Sequence, residues 1–134
     1  MSPVPSDGPI ERVLDASALL AYLHLEPGAE AVELRDAAVS AVNWCEVVER
    51  AARGGADVAG LRAHVGAHGC LILDFDAACA EAAAALWPAT RSGGLSLGDR
   101  ACLALAAELG VPAVTADRAW AGLDVGVEVV VVRG

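Results

Sequence analysis

The chain has 134 residues, the length of a single domain that buries roughly two-thirds of its unfolded surface. Hydrophobic residues make up 56% but aromatics only 4%, so the core has to be built from Ala, Val and Leu, and no apolar run approaches the roughly 18 residues that span a bilayer. The net charge of −9 is accompanied by nine basic residues that are all Arg, and the absence of Lys excludes P-loop, receiver-domain and haloacid-dehalogenase-like chemistry, each of which sets a lysine on a phosphoryl group.

In chain order, Met1 to Pro9 contains three of the six prolines and is expected to be a flexible tail, with one folded domain over residues 10–134. No signal-peptide pattern opens the sequence, so a soluble, cytoplasmic protein is expected. A first strand is predicted at Arg12 to Leu14, with Asp15 directly after it as the cap of a helix beginning near Ala16. A second strand, Ala38 to Ala41, leads into a helix over Asn43 to Arg53. There Trp44, Val47, Val48 and Ala51 form the apolar stripe, with Asn43, Glu46, Arg50 and Arg53 assigned to the opposite side. Gly54, Gly55 and Gly60 follow this helix and not a strand, so they form no dinucleotide-binding fingerprint.

A third strand is predicted at Cys70 to Phe75 and an Ala-rich helix at Asp76 to Ala89, stopped near Pro88 and a loop over Arg91 to Gly94. Leu97 to Leu109 reads as a covered helix ending at Gly110, and it feeds a fourth strand at Ala113 to Thr115. Asp117 stands in the turn beyond, before a last strand at Val127 to Val132. Strands alternating with helices imply an α/β fold, a parallel sheet of about five strands with helices on both faces. Cys45, Cys70, Cys79 and Cys102 form no C-x-x-C pair and lie in apolar stretches, so they are expected to be small core residues.

Four acids therefore fall at one end of the predicted sheet: Asp15, Glu46, Asp99 and Asp117. Each has a structural explanation of its own. Asn43-x-x-Glu46 and Ser96-x-x-Asp99 have capping-box spacing, Glu46 stands four residues before Arg50, and Asp15 and Asp117 suit a cap and a turn. Together they are harder to explain so. Two carboxylates about 5 Å apart repel by roughly 3 kcal/mol at an effective dielectric of about 20, and no Lys is present to offset this. A divalent cation between them would, and the chemistry such a site serves is phosphodiester hydrolysis.

The stretches around these acids resemble PIN-domain ribonucleases, most closely the VapC-type toxins of toxin–antitoxin modules. The resemblance runs from Val13 to Arg133 through LDASALLAYL, EPGAE at Glu26 to Glu30, SAVNWCEV, GLSLGDRACLALA, TADRAW and the valine-rich end. It implies a PIN-like fold and RNA cleavage at an Mg²⁺ or Mn²⁺ site held by Asp15, Glu46, Asp99 and Asp117. It also implies a cognate antitoxin and a homodimer. Ser17, Asn43 and Thr115, close to the acids in sequence, are expected to orient ligands, and Arg91, Arg100 and Arg118 to meet RNA phosphates. Ala119 stands where some PIN domains carry a further acid, which weakens the case for a second metal. Two alternatives stay open: a PIN-like nuclease in RNA processing or acting on DNA, and a non-catalytic domain that binds metal or a partner.

Overall fold

The computed structural model describes residues 8–132, so most of the expected tail, residues 1–7, lies outside it. Five strands form one parallel sheet: β1 (Arg12–Leu14), β2 (Ala37–Ser40), β3 (Cys70–Leu73), β4 (Ala113–Thr115) and β5 (Val129–Val131). Their order across the sheet is β3-β2-β1-β4-β5. The helices are α1 (Ala16–Leu23), α2 (Ala41–Arg53), α3 (Leu61–Ala67), α4 (Ala77–Ala85), α5 (Trp87–Thr90) and α6 (Leu97–Leu109).

Alternation along the short strands sends side chains into two separate cores. Leu14, Ala37, Val39 and Val114 join Leu19, Leu20, Val47 and Val65 on one face. Val13, Ala38 and Ala113 join Cys102, Leu103, Ala106 and Trp120 on the other. A sheet covered on both sides requires apolar residues at successive strand positions, which is why these strands show no polar alternation. Leu14, Leu19, Leu103 and Trp120 are fully buried, each contributing about 1.5 to 3 kcal/mol by leaving water.

From β1 the chain builds outward on one side through β2 to β3, then crosses to the other side through β4 to β5. The switch in direction therefore falls between the carboxyl ends of β1 and β4, where open α/β sheets form a crevice. α6 delivers the chain to β4. It starts in a capping box at Ser96 and ends at Gly110, whose φ of 68° is the left-handed cap conformation that glycine adopts without penalty.

Three expectations need correction. The second helix starts at Ala41 with Ser40 as its cap, so Asn43 is not a capping residue. Asn43 lies inward beside Val47 and Ala51, at i, i+4 and i+8, instead of on the face opposite the apolar stripe, because the buried face of α2 is centred on that row. The Ala-rich helix is broken after Ala85, and Pro88 sits in the first turn of the short α5 instead of ending a longer helix. Finally, Cys70 and Cys102 are core residues but Cys45 is exposed, because it lies on the outer face of α2.

Candidate active site

Thr115 and Asp15 stand at the ends of the two strands flanking the switch point. Asp15 is only 5% exposed and caps α1, its Oδ1 accepting from the Ala18 amide at 2.8 Å. Thr115 Oγ1 donates to Asp15 Oδ2 at 2.6 Å, and Ser17 Oγ donates to both carboxylate oxygens at 2.8 and 3.0 Å. Each hydroxyl in turn accepts from a backbone amide beyond β4: Ser17 from Ala116 at 2.9 Å and Thr115 from Asp117 at 3.0 Å. A hydroxyl has one proton, and these amides leave both hydroxyls to spend theirs on Asp15. Even so, burial outweighs the hydrogen bonds, and with help from the charge of Asp99 it pushes the Asp15 carboxyl up from 3.8 to about 6. Among the described residues no cation pairs with it.

The remaining acids line the same open cleft of about 600 Å³. Asp99 Oδ2 accepts from the Ser96 amide at 3.0 Å, and Ser96 Oγ accepts from the Asp99 amide at 3.2 Å, so the expected capping box forms. Asp117 Oδ1 caps a 3-10 turn over Arg118–Trp120, accepting from Ala119 at 2.9 Å. Capping and gathering at the cleft are thus not rival explanations: the caps fix the direction in which these acids point. Glu46 caps nothing. It projects from α2 and accepts from Asn43 Nδ2 at 3.3 Å. The charges of Asp15, Asp99 and Glu46 all act on the buried Cys102 thiol, which burial foremost holds well above the usual thiol range.

Of the expected supporting residues, Ser17 and Asn43 line the cleft and Thr115 lies just beneath it, fully buried. Arg118 also lines it, whereas Arg91 and Arg100 do not. The Arg91 guanidinium lies 5.4 Å from the centroid of the Trp87 ring, a cation–π partner on the same short turn that draws it from the acids. Arg100 belongs to the wall of α6, its Nε buried without a hydrogen-bond partner. His24, Glu26 and Arg50 line the cleft although no site role was expected of them. Arg50 follows Glu46 by one helical turn, a spacing that was visible; His24 and Glu26 come from the end of α1 and the bend after it, which no periodicity announces.

The donor set suits a hard divalent cation. Among the described residues Asp15 is a buried carboxylate that makes no ion pair, and Asn43 Oδ1 is a buried acceptor with no hydrogen-bond partner. Among those residues no three His, Cys, Asp or Glu side chains stand close enough together to hold a metal ion between them. That is compatible with Mg²⁺, which keeps several of its waters and binds through one or two carboxylates.

The PIN-domain family model matches residues 12–125. No curated protein matches the chain by sequence. Among solved structures it is similar to a toxin–antitoxin complex from Klebsiella pneumoniae, with 23% identity and a TM-score of 0.68 over 91% of this chain and 98% of that one. It is also similar to DNA-bound VapBC from Salmonella typhimurium, with 15% identity and a TM-score of 0.64 over 90% of this chain and 96% of that one. VapBC-5 from Mycobacterium tuberculosis shares 23% identity at a TM-score of 0.52, covering 94% of this chain and 100% of the other. At such identities the likeness is one of fold.

Proposed function

Because this chain belongs to the PIN-domain family, we propose that it is a metal-dependent endoribonuclease of the VapC toxin type, hydrolysing RNA phosphodiester bonds at the acidic cleft. The observation that carries this reading is Asp15. A carboxylate buried at the switch point and oriented by two hydroxyls and an amide, with no ion pair among the described residues, is costly to ionise, and positive charge from a bound ion would offset that cost.

Asp15, Glu46, Asp99 and Asp117 would hold Mg²⁺ or Mn²⁺, directly or through water. When bound, such an ion supplies the positive charge that acidifies water and neutralises the phosphate under attack. The chain's own residues supply placement. Thr115 and Ser17 fix both oxygens of Asp15, and Ser96 fixes one oxygen of Asp99. Arg50 and Arg118, which line the cleft, would engage phosphate oxygens and offset in part the repulsion between RNA and a chain of charge −9.

The toxin–antitoxin complexes among the fold neighbours support a protein partner. A basic side chain of an antitoxin, a guanidinium above all, satisfies the same carboxylates that otherwise hold the ion. The protein is proposed to act as a homodimer in the cytoplasm; among the described residues no helix is long and apolar enough to cross a membrane. The test is incubation of purified protein with total cellular RNA. Endonucleolytic cleavage is expected with Mg²⁺ or Mn²⁺ and none with EDTA, while cleavage that survives the chelator contradicts the reading.

A further inference from the structure

Glu46 is the only one of the four acids that no backbone amide holds, yet its carboxylate has a defined seat. The seat is made by a glycine and a buried amide. Asn43, 1% exposed, places its Nδ2 between two oxygens, donating to Gly98 O at 3.0 Å and to Glu46 Oε1 at 3.3 Å. With an acceptor on each side, that end of the amide has to be the nitrogen, so the donors face Glu46 and the first turn of α6. Gly98 lies in that turn, immediately before Asp99. A Cβ there would overlap Glu46 Oε1 and come within 3.0 Å of its Cδ.

Gly98 does not serve the backbone. It has no positive φ, and a helical position of this kind is more favourable for alanine. The missing side chain is instead the space that Glu46 fills. We propose that Gly98 and Asn43 are positioning residues that seat the Glu46 carboxylate against the start of α6, beside Asp99, so that the two helices present their acids to one ion. This deepens the metal-dependent nuclease reading and rests on it.

The test is Gly98→Ala in the full-length protein, read by Mn²⁺ titration calorimetry and by melting temperature with chelator and with Mn²⁺. The atom the new methyl meets is the far end of a flexible side chain, so Glu46 swings away and the fold persists. The metal-free melting temperature should be unchanged or higher, while Mn²⁺ affinity falls roughly 10- to 100-fold, the usual cost of losing an outer-shell support. Glu46→Asp, one methylene shorter, should weaken binding alone but cost less in the Gly98→Ala background, because the shorter carboxylate clears the methyl. If circular dichroism shows Gly98→Ala unfolded, Asn43→Ala, which removes the clamp and adds no atom, carries the same expected loss. Wild-type affinity in the folded Gly98→Ala protein, or a loss that Glu46→Asp does not moderate, overturns the seat. A wild type that binds no Mn²⁺ overturns the nuclease reading and this inference with it.

Discussion

Thr115 Oγ1 donates to Asp15 Oδ2 at 2.6 Å across 100 residues of sequence, tying the carboxyl end of β4 to that of β1 where the strand order reverses. The bond fixes the orientation of the most buried acid in the cleft. Thr115→Val keeps the shape and removes the donor. A hydrogen bond to a charged group contributes about 1.5 to 3 kcal/mol, so unfolding in urea at pH 7.5 should show a loss in that range. Unchanged stability would mean that the bond orients nothing.

Asp15 should also leave a signature in the pH dependence of the metal-free protein. Its folded carboxyl titrates at about 6 instead of 3.8, so between these values the native state holds a proton that the unfolded chain has released. The contribution to stability is fully present below pH 3.8, fades through the interval, and is gone above about 6, a change on the order of 2 to 3 kcal/mol. In chelator, Asp15→Asn should therefore remove a fall in stability between pH 4 and pH 6.5. Parallel stability curves for wild type and variant would show that Asp15 is not desolvated.

Asp99 and Ser96 separate capping from ion holding. Asn at 99 retains an oxygen to accept from the Ser96 amide, so Asp99→Asn should leave the metal-free melting temperature nearly unchanged while abolishing its rise with Mn²⁺. Ser96→Ala deletes the acceptor for the Asp99 amide and should cost about 0.5 to 2 kcal/mol, with a response to Mn²⁺ still present. The reverse pattern would make Asp99 a cap and nothing more.

Arg50→Gln and Arg118→Gln should raise KM for RNA more than they lower kcat, and each should reduce the slope of log affinity against log salt by about 0.7 for every phosphate that is no longer engaged. Arg91→Gln, whose guanidinium stacks on Trp87 instead of facing the cleft, should change neither. An equal effect at all three positions would indicate general electrostatics and no specific phosphate binding.

Much of this site is legible in the sequence because strand ends are easy to read. Apolar triplets and quadruplets followed by Asp or by a capping serine mark where a parallel strand stops, and parallel strands stop at a common edge. Asp15, Asp99 and Asp117 sit within two residues of an element end, so their convergence follows from topology. Asn43 is deceptive because N-x-x-E has the spacing of a capping box. Ser40 takes the cap three residues earlier, which leaves Asn43 inside the first turn, on the row it shares with Val47 and Ala51. Arg91 and Arg100 do not reach the cleft because nearness in sequence to an acid says nothing about side-chain direction; an adjacent Trp claims the first and the helix wall holds the second. Gly98 gives no signal at all, since its partner Glu46 lies 52 residues earlier and the need for an absent side chain exists only once α2 and α6 are packed.

Whether the four carboxylates hold one divalent ion is measured most directly by calorimetric titration of Mn²⁺ into metal-free wild type and Asp15→Asn at pH 7.5. Saturable binding by the wild type is expected, weakened at least about tenfold in a variant that remains folded. No binding by the wild type, or the same affinity after Asp15 is neutralised, would contradict a metal site at this cleft.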